Sequence, residues 1–189
     1  MLAGNKTISG EIMSFKQAAI ALAFVIGGLS AAQAQMVVPS AGVIPDVAGA
    51  PDKPDPTRTY KFVFDVQSLA STADGISPAL TGIGRLLNTY RGYGVPADHT
   101  LVTAVFHGPT IVLVTKDGTY NGRTGAKENP NKEILRQLQA GGVKLVVCAV
   151  SAREQNYTAA DLLPEVKLDL SATVTFMELQ SRGYVKVER

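Results

Sequence analysis

At 189 residues the chain carries 18 Lys and Arg against 16 Asp and Glu, a net charge of +2 with no block of either sign. That balance excludes the basic stripe a nucleic-acid surface needs, so no nucleic acid is expected as partner. A single cysteine excludes an internal disulfide, and with only two histidines beside it there are too few soft ligands for a dedicated zinc site.

The first segment reads as an export signal. Met13-Ser14-Phe15-Lys16 is a short basic start, Ala18 to Leu29 is apolar, and Ala32-Gln33-Ala34 puts small residues at the −3 and −1 cleavage positions. Residues 1–34 are therefore expected to be removed as a signal peptide, placing the protein in the periplasm or outside the cell. An uncleaved anchor is the other reading, but the apolar stretch falls short of the about 20 residues that span a bilayer. No later segment is long and apolar enough, so no stable membrane insertion is expected after processing. The processed chain keeps 16 basic and 15 acidic residues.

Residues 35–59 hold prolines 39, 45, 51, 54 and 56 and read as an extended, partly polyproline-II lead-in. Order is expected from 60 to 189. "YKFVFDV" (60–66) alternates aromatic and β-branched residues with polar ones, a strand. Leu80, Ile83, Leu86, Leu87 and Tyr90 share one helical face within 77–93. "TLVTAVFH" (100–107) is a second strand, and "TIVLVT" (110–115) is either a strand or a buried helical turn. It also offers an apolar surface that a neighbouring subunit would cover. A polar, Gly-rich loop is expected over 116–128. In "NPNKEILRQLQAGG", Asn129 reads as the N-cap and Pro130 as the first helical position, with Ile134, Leu135 and Leu138 inward.

"VKLVVCA" is nearly all apolar, as a central parallel strand covered on both faces should be. Thr158 and Asp161 open a short helix that Pro164 ends. "VKLDL" is a short strand, and 172–182 is a helix capped by Ser171, with Val174, Met177 and Phe176 expected inward. "YVKV" is the last strand. Strands alternating with helices imply a three-layer α/β/α domain on a mostly parallel sheet of about five strands.

In such sheets ligands bind beyond the carboxyl ends of the strands. Asp65, His107 and Cys148 stand at three of those ends, and if the second and third strands are neighbours, His107 and Cys148 share a rim. There a thiol gains from the amide N–H groups of the next turn and from an imidazole, both of which favour the thiolate. Each residue also has a plainer reading: Cys148 as an inert core cysteine, His107 as a turn residue beside Gly108-Pro109, and Asp65 as a loop or cap residue. "GRTGAKEN" (122–129) lacks the Gly-Lys-Ser/Thr ending of a phosphate loop and reads as a flexible loop. No G-x-S-x-G elbow is present.

The succession "HGP" (107–109), "NPN" (129–131), "LQAGGVKLVVC" (138–148), "DLLPEVK" (161–167), "LSA" (170–172) and "LQSRGY" (179–184) resembles the DsrE/DsrF-like family, sulfur-relay proteins, and within it an exported branch. The resemblance implies a doubly wound DsrE-like domain assembling into homo-oligomers, trimers or hexamers. It also implies a persulfide on the cysteine matching Cys148. Many relatives read Cys-Gly-Gln there, whereas Ala149 and Val150 follow here, removing backbone freedom and an amide side chain near the sulfur.

The leading expectation is an exported sulfur carrier or sulfurtransferase-like protein. Cys148 and His107 do the chemistry, Asp65, Gly108 and Ser151 form the substrate site, and no metal or organic cofactor takes part. Its partners are sulfur donor and acceptor proteins or small sulfur compounds. A non-catalytic oligomeric module that binds a small molecule or partner protein is the rival, and a thiol-based redox or soft-metal sensor the third reading. A buried thiol with no cationic or amide neighbours would favour the module.

Overall fold

The computed structural model describes residues 1, 36–69 and 71–189, so the expected signal peptide, apart from Met1, lies outside the described residues. Five parallel strands form the sheet: β1 (Tyr60–Val66), β2 (Thr100–Phe106), β3 (Lys144–Cys148), β4 (Val166–Asp169) and β5 (Val185–Glu188). Their order across the sheet is β4-β3-β2-β1-β5. The helices are α1 (Pro78–Gly92), α2 (Asp117–Thr124), α3 (Lys132–Ala140), α4 (Ala149–Glu154) and α5 (Ala172–Ser181).

Side chains alternate between the faces of a strand, and ladder partners share a face. On one face Phe64, Phe106 and Leu145 pack under Leu80, Ile83 and Leu87 of α1 and under Ile134, Leu135 and Leu138 of α3. On the other, Val63, Val105 and Cys148 pack against Ala172 and Phe176 of α5. Since α5 leaves β4 at one edge and delivers the chain to β5 at the other, it crosses this second face. The result is the three-layer α/β/α architecture that the sequence pattern implies.

Several local expectations are corrected. Of the two readings of "TIVLVT", the buried helical turn holds and the strand does not, and the segment offers no exposed apolar surface. It belongs to a 3-10 stretch, Gly108–Val114, in which Thr110 to Val114 are all buried. The expected loop 116–128 contains α2, which escapes periodicity because Tyr120 is its one buried residue, and Gly125 ends it in the left-handed region. The third helix starts at Lys132 with Asn131 as its N-cap, because Asn129 is occupied elsewhere. The Asn129 amide donates to the carbonyls of Leu113 (2.9 Å) and Thr115 (2.8 Å), and its carbonyl accepts from Asn131 N–H at 2.9 Å. Asn131 in turn accepts from Ser77 N–H at 2.8 Å, which ties α1 to α3.

The segment expected as a helix between Thr158 and Pro164 is a 3-10 turn, Ala159–Asp161, and α4 was not anticipated. On α5, Val174 and Met177 point outward, not inward. Thr175 takes a buried position through hydrogen bonds to Asp169 Oδ2 (2.8 Å) and Ser171 O (2.9 Å), which turns the helix so that Phe176 faces the sheet.

The segment around Val38 is seated on the domain. Val38 is fully buried, and Asn88 of α1 receives Val38 N–H (2.9 Å) and donates to Val38 O (2.7 Å) and Gly42 O (2.8 Å). Gly84 makes this approach possible, since a Cβ there would lie 2.6 Å from Val38 Cγ1 and 2.7 Å from Ala41 Cβ.

Candidate active site

Parallel register sets the positions of the reactive groups. Asp65 pairs with Val105 and Phe106 with Val147, so His107 and Cys148 follow one another across the ends of β2 and β3. Lys186 pairs with Val63 on β5, and Asp169 with Cys148 on β4. Alternation then turns Lys186, Asp65, His107, Cys148 and Asp169 toward the face that α5 crosses. A row of polar and ionisable side chains runs over all five strands.

Asp65 is not a loop or cap residue; it lies inside β1 and is 3 % exposed. Its Oδ1 meets His107 Nε2 at 2.7 Å, and its Oδ2 meets Lys186 Nζ at 2.7 Å and Gln67 Nε2 at 2.9 Å. Burial alone would raise its pKa. The hydrogen bonds from Lys186, His107 and Gln67 outweigh that and hold the carboxyl below the ordinary carboxylate value. Lys186 is held above the ordinary lysine value by the same contact. Its ammonium also stands over the Phe176 ring at 4.6 Å from the centroid, and His107 meets that ring edge-on at 6.4 Å. Phe176 is thus the apolar wall against which the two cation-capable groups are aligned.

Cys148 ends β3 and serves as the N-cap of α4, with Ser151 N–H donating to Sγ at 3.4 Å. Burial pushes the thiol up. Hydrogen bonds from Ser151 and from the backbone of Ala172 and Val150 outweigh burial and hold it below the ordinary cysteine value. The amide donors come from two directions, from α4 next in sequence and from the start of α5 overhead. Cys148 thus combines a buried place among Val63, Val105, Ala172 and Phe176 with main-chain donors around its sulfur.

These residues line one cavity of about 550 Å³. Asp65, His107, Cys148, Ser151, Phe176 and Lys186 are all on its wall, so the structure brings together four of the five site residues read from the sequence. Gly108 does not line it. With φ +51° it turns the chain from β2 into the 3-10 stretch, a conformation that glycine tolerates best. Sequence reasoning missed Lys186, Gln67 and Phe176. Lys186 was legible as the polar member of the alternating "YVKV", but only the placement of β5 beside β1 shows what it faces. Among the described residues no group of three or more His, Cys, Asp or Glu side chains could hold a metal ion, and no helix is long and apolar enough to cross a membrane.

A family model described as the DsrE/DsrF-like family matches residues 52–187. No curated protein matches the chain. Among solved structures, a protein of unknown function from Methanobacterium thermoautotrophicum is similar with a TM-score of 0.46 at 16 % identity, over 69 % of this chain and 99 % of that one.

Proposed function

The chain belongs to the DsrE/DsrF-like family, and on that premise we propose that it is an exported sulfur carrier that holds sulfane sulfur as a persulfide on Cys148. The observation that carries this reading is the pair of main-chain approaches to Sγ, from Ser151 at 3.4 Å and from the start of α5, inside a cavity that also holds His107. Donors of this kind favour a thiolate, the form that attacks sulfur. They equally suit the anion of a persulfide.

The thiolate attacks the sulfane sulfur of a donor R–S–SH. A new S–S bond forms to Cys148, the donor S–S bond breaks, and its electron pair leaves on R–S⁻. Cys148 is raised to the persulfide level as the donor falls to a thiolate, so the donor itself supplies the oxidising equivalents and no further oxidant or cofactor enters. His107, held by the Asp65 carboxylate, is the group positioned to exchange a proton with the leaving thiolate. An acceptor thiolate then attacks the outer sulfur and releases Cys148 for another cycle. The amide donors around the thiol weigh against the non-catalytic module.

Intact-mass measurement of the purified protein after incubation with polysulfide or thiosulfate tests the proposal. A gain of about 32 Da, one sulfur atom, is expected on the wild type and not on Cys148→Ser. If no donor produces it, the carrier reading is wrong.

A further inference from the structure

Cys148 lies at the bottom of its cavity and not at its lip. It is 5 % exposed, while Met177 on the cavity wall is 67 % exposed and Val150 38 %. The volume of about 550 Å³ falls within the about 300–1,000 Å³ range of small-molecule pockets. Its charges are already matched, because the Asp65 carboxylate and the Lys186 ammonium meet at 2.7 Å. What remains for a ligand is a reactive floor, hydroxyl groups on Ser151, Ser171 and Thr173, and an apolar rim.

We propose that this cavity selects slender, low-molecular-weight persulfides and polysulfides, of about tripeptide size or less, as sulfur donors, and rejects a persulfide carried on the surface of a folded protein. The inference rests on the carrier reading of Cys148. The chemical step is the exchange already given: the S–S bond to Cys148 forms as the donor S–S bond breaks, and the small thiolate leaves with the electron pair. A chain-like donor reaches the floor end-on with its tail against Met177 and Val150. A cysteine on a folded surface brings its flanking backbone to the rim before its sulfur reaches Sγ, so Met177 must move aside first. Met177 is on this account a specificity-determining residue, not a catalytic one.

The test compares loading of full-length protein by a tripeptide persulfide and by a small folded protein bearing one persulfidated surface cysteine, read as mass gain on Cys148 over time. The folded donor should load at least about tenfold more slowly, the factor that about 1.4 kcal/mol of extra barrier gives. Met177→Ala should narrow that gap by speeding the folded donor more than it changes the small one. Alkylation supplies a readout independent of sulfur transfer. Iodoacetamide should modify native Cys148 readily and a polymer-linked maleimide much more slowly, with both equal after denaturation. Equal loading by the two donors, or equal native alkylation by the two reagents, overturns the selectivity while leaving the carrier reading intact. Failure of every donor to load Cys148, with iodoacetamide still reacting, overturns the carrier reading and this inference with it.

Discussion

Replacing Lys186 by methionine tests whether the Asp65 carboxylate is held as its geometry indicates. Methionine keeps an unbranched stem against Phe176 but removes the ammonium, 2.7 Å from Oδ2. Breaking one side of a fully buried ion pair costs about 3–5 kcal/mol, and a hydrogen bond to a charged group contributes about 1.5–3 kcal/mol. Asp65 is 4 % exposed at its side chain, but Lys186 keeps 29 % in solvent, and His107 and Gln67 stay in place. The lower range therefore applies, about 1.5–3 kcal/mol at pH 7.

The pH dependence has a defined sign. Asp65 has its folded value depressed, so its contribution is present above the unfolded value of about 3.9 and disappears as pH falls through the folded value. Lys186 has its folded value raised, so its contribution is present below about 10.4 and disappears as pH rises through the folded value. Urea unfolding followed by circular dichroism across the acid and alkaline ranges should give a flatter profile for Lys186→Met at both ends. Combining it with Asp65→Asn should destabilise less than the sum of the single changes by about 1–3 kcal/mol. A loss below about 0.5 kcal/mol at pH 7, together with additive effects in the double variant, would refute the reasoning.

The thiol itself gives a second expectation: the pH–rate profile for iodoacetamide should have its midpoint below that of free cysteine and move up in Ser151→Ala, as read by mass spectrometry. At the other pole of the domain, Asn88→Ala removes three hydrogen bonds to the backbone of Val38 and Gly42 and should cost about 2–4 kcal/mol in thermal or urea unfolding. Gly84→Ala, which puts a Cβ 2.6 Å from Val38 Cγ1, should cost about 1–3 kcal/mol by the same measurement. For assembly, light scattering at micromolar concentration should give a mass larger than a dimer, and a monomer mass would count against it. N-terminal sequencing of the exported protein should begin at Gln35.

Fold class was legible because it depends on a pattern that local chemistry enforces. "YKFVFDV", "TLVTAVF" and "KLVVC" are too rich in β-branched and aromatic residues to be anything but strands, and the intervening helices carry their own stops. What was illegible depends on distant partners. Asn129 has the chemistry of an N-cap, but the carbonyls of Leu113 and Thr115 claim its amide first. Thr175 looks like a surface residue until Asp169 satisfies its hydroxyl, and that one bond turns Val174 and Met177 to the outside. Val38 sits in a proline-spaced segment with no periodicity, and its burial follows from Asn88 and Gly84, some fifty residues later. The site was half legible for the same reason. Strand ends mark Asp65, His107 and Cys148, whereas Lys186 and Phe176 enter through a crossover that only the sheet order reveals.

The residues after the thiol bear directly on whether it can work. Ala149 and Val150 stand where the family resemblance implies Gly-Gln, a change that would matter if the turn needed a left-handed residue or if the sulfur needed a side-chain amide. Neither need is found here. Ala149 opens α4 directly after Cys148, and among the described non-glycine residues positive φ occurs at Asn156 alone. The donors that lower the thiol are main-chain groups of Ser151, Val150 and Ala172 together with the Ser151 side chain. Substitution at 149 or 150 leaves main-chain N–H groups in place as long as α4 forms, and alanine forms helix better than glycine by about 1 kcal/mol. The missing amide side chain is replaced at the rim by an apolar one, Val150, next to Met177 on the same cavity wall. The departure is therefore expected to spare the acidity of the sulfur and to alter what reaches it. Val150→Gln separates the two effects: the pH midpoint of Cys148 alkylation should stay where it is in the wild type, while the rate with an apolar-tailed persulfide falls relative to inorganic polysulfide. A shifted midpoint with unchanged donor preference would show that position 150 acts on the thiolate after all.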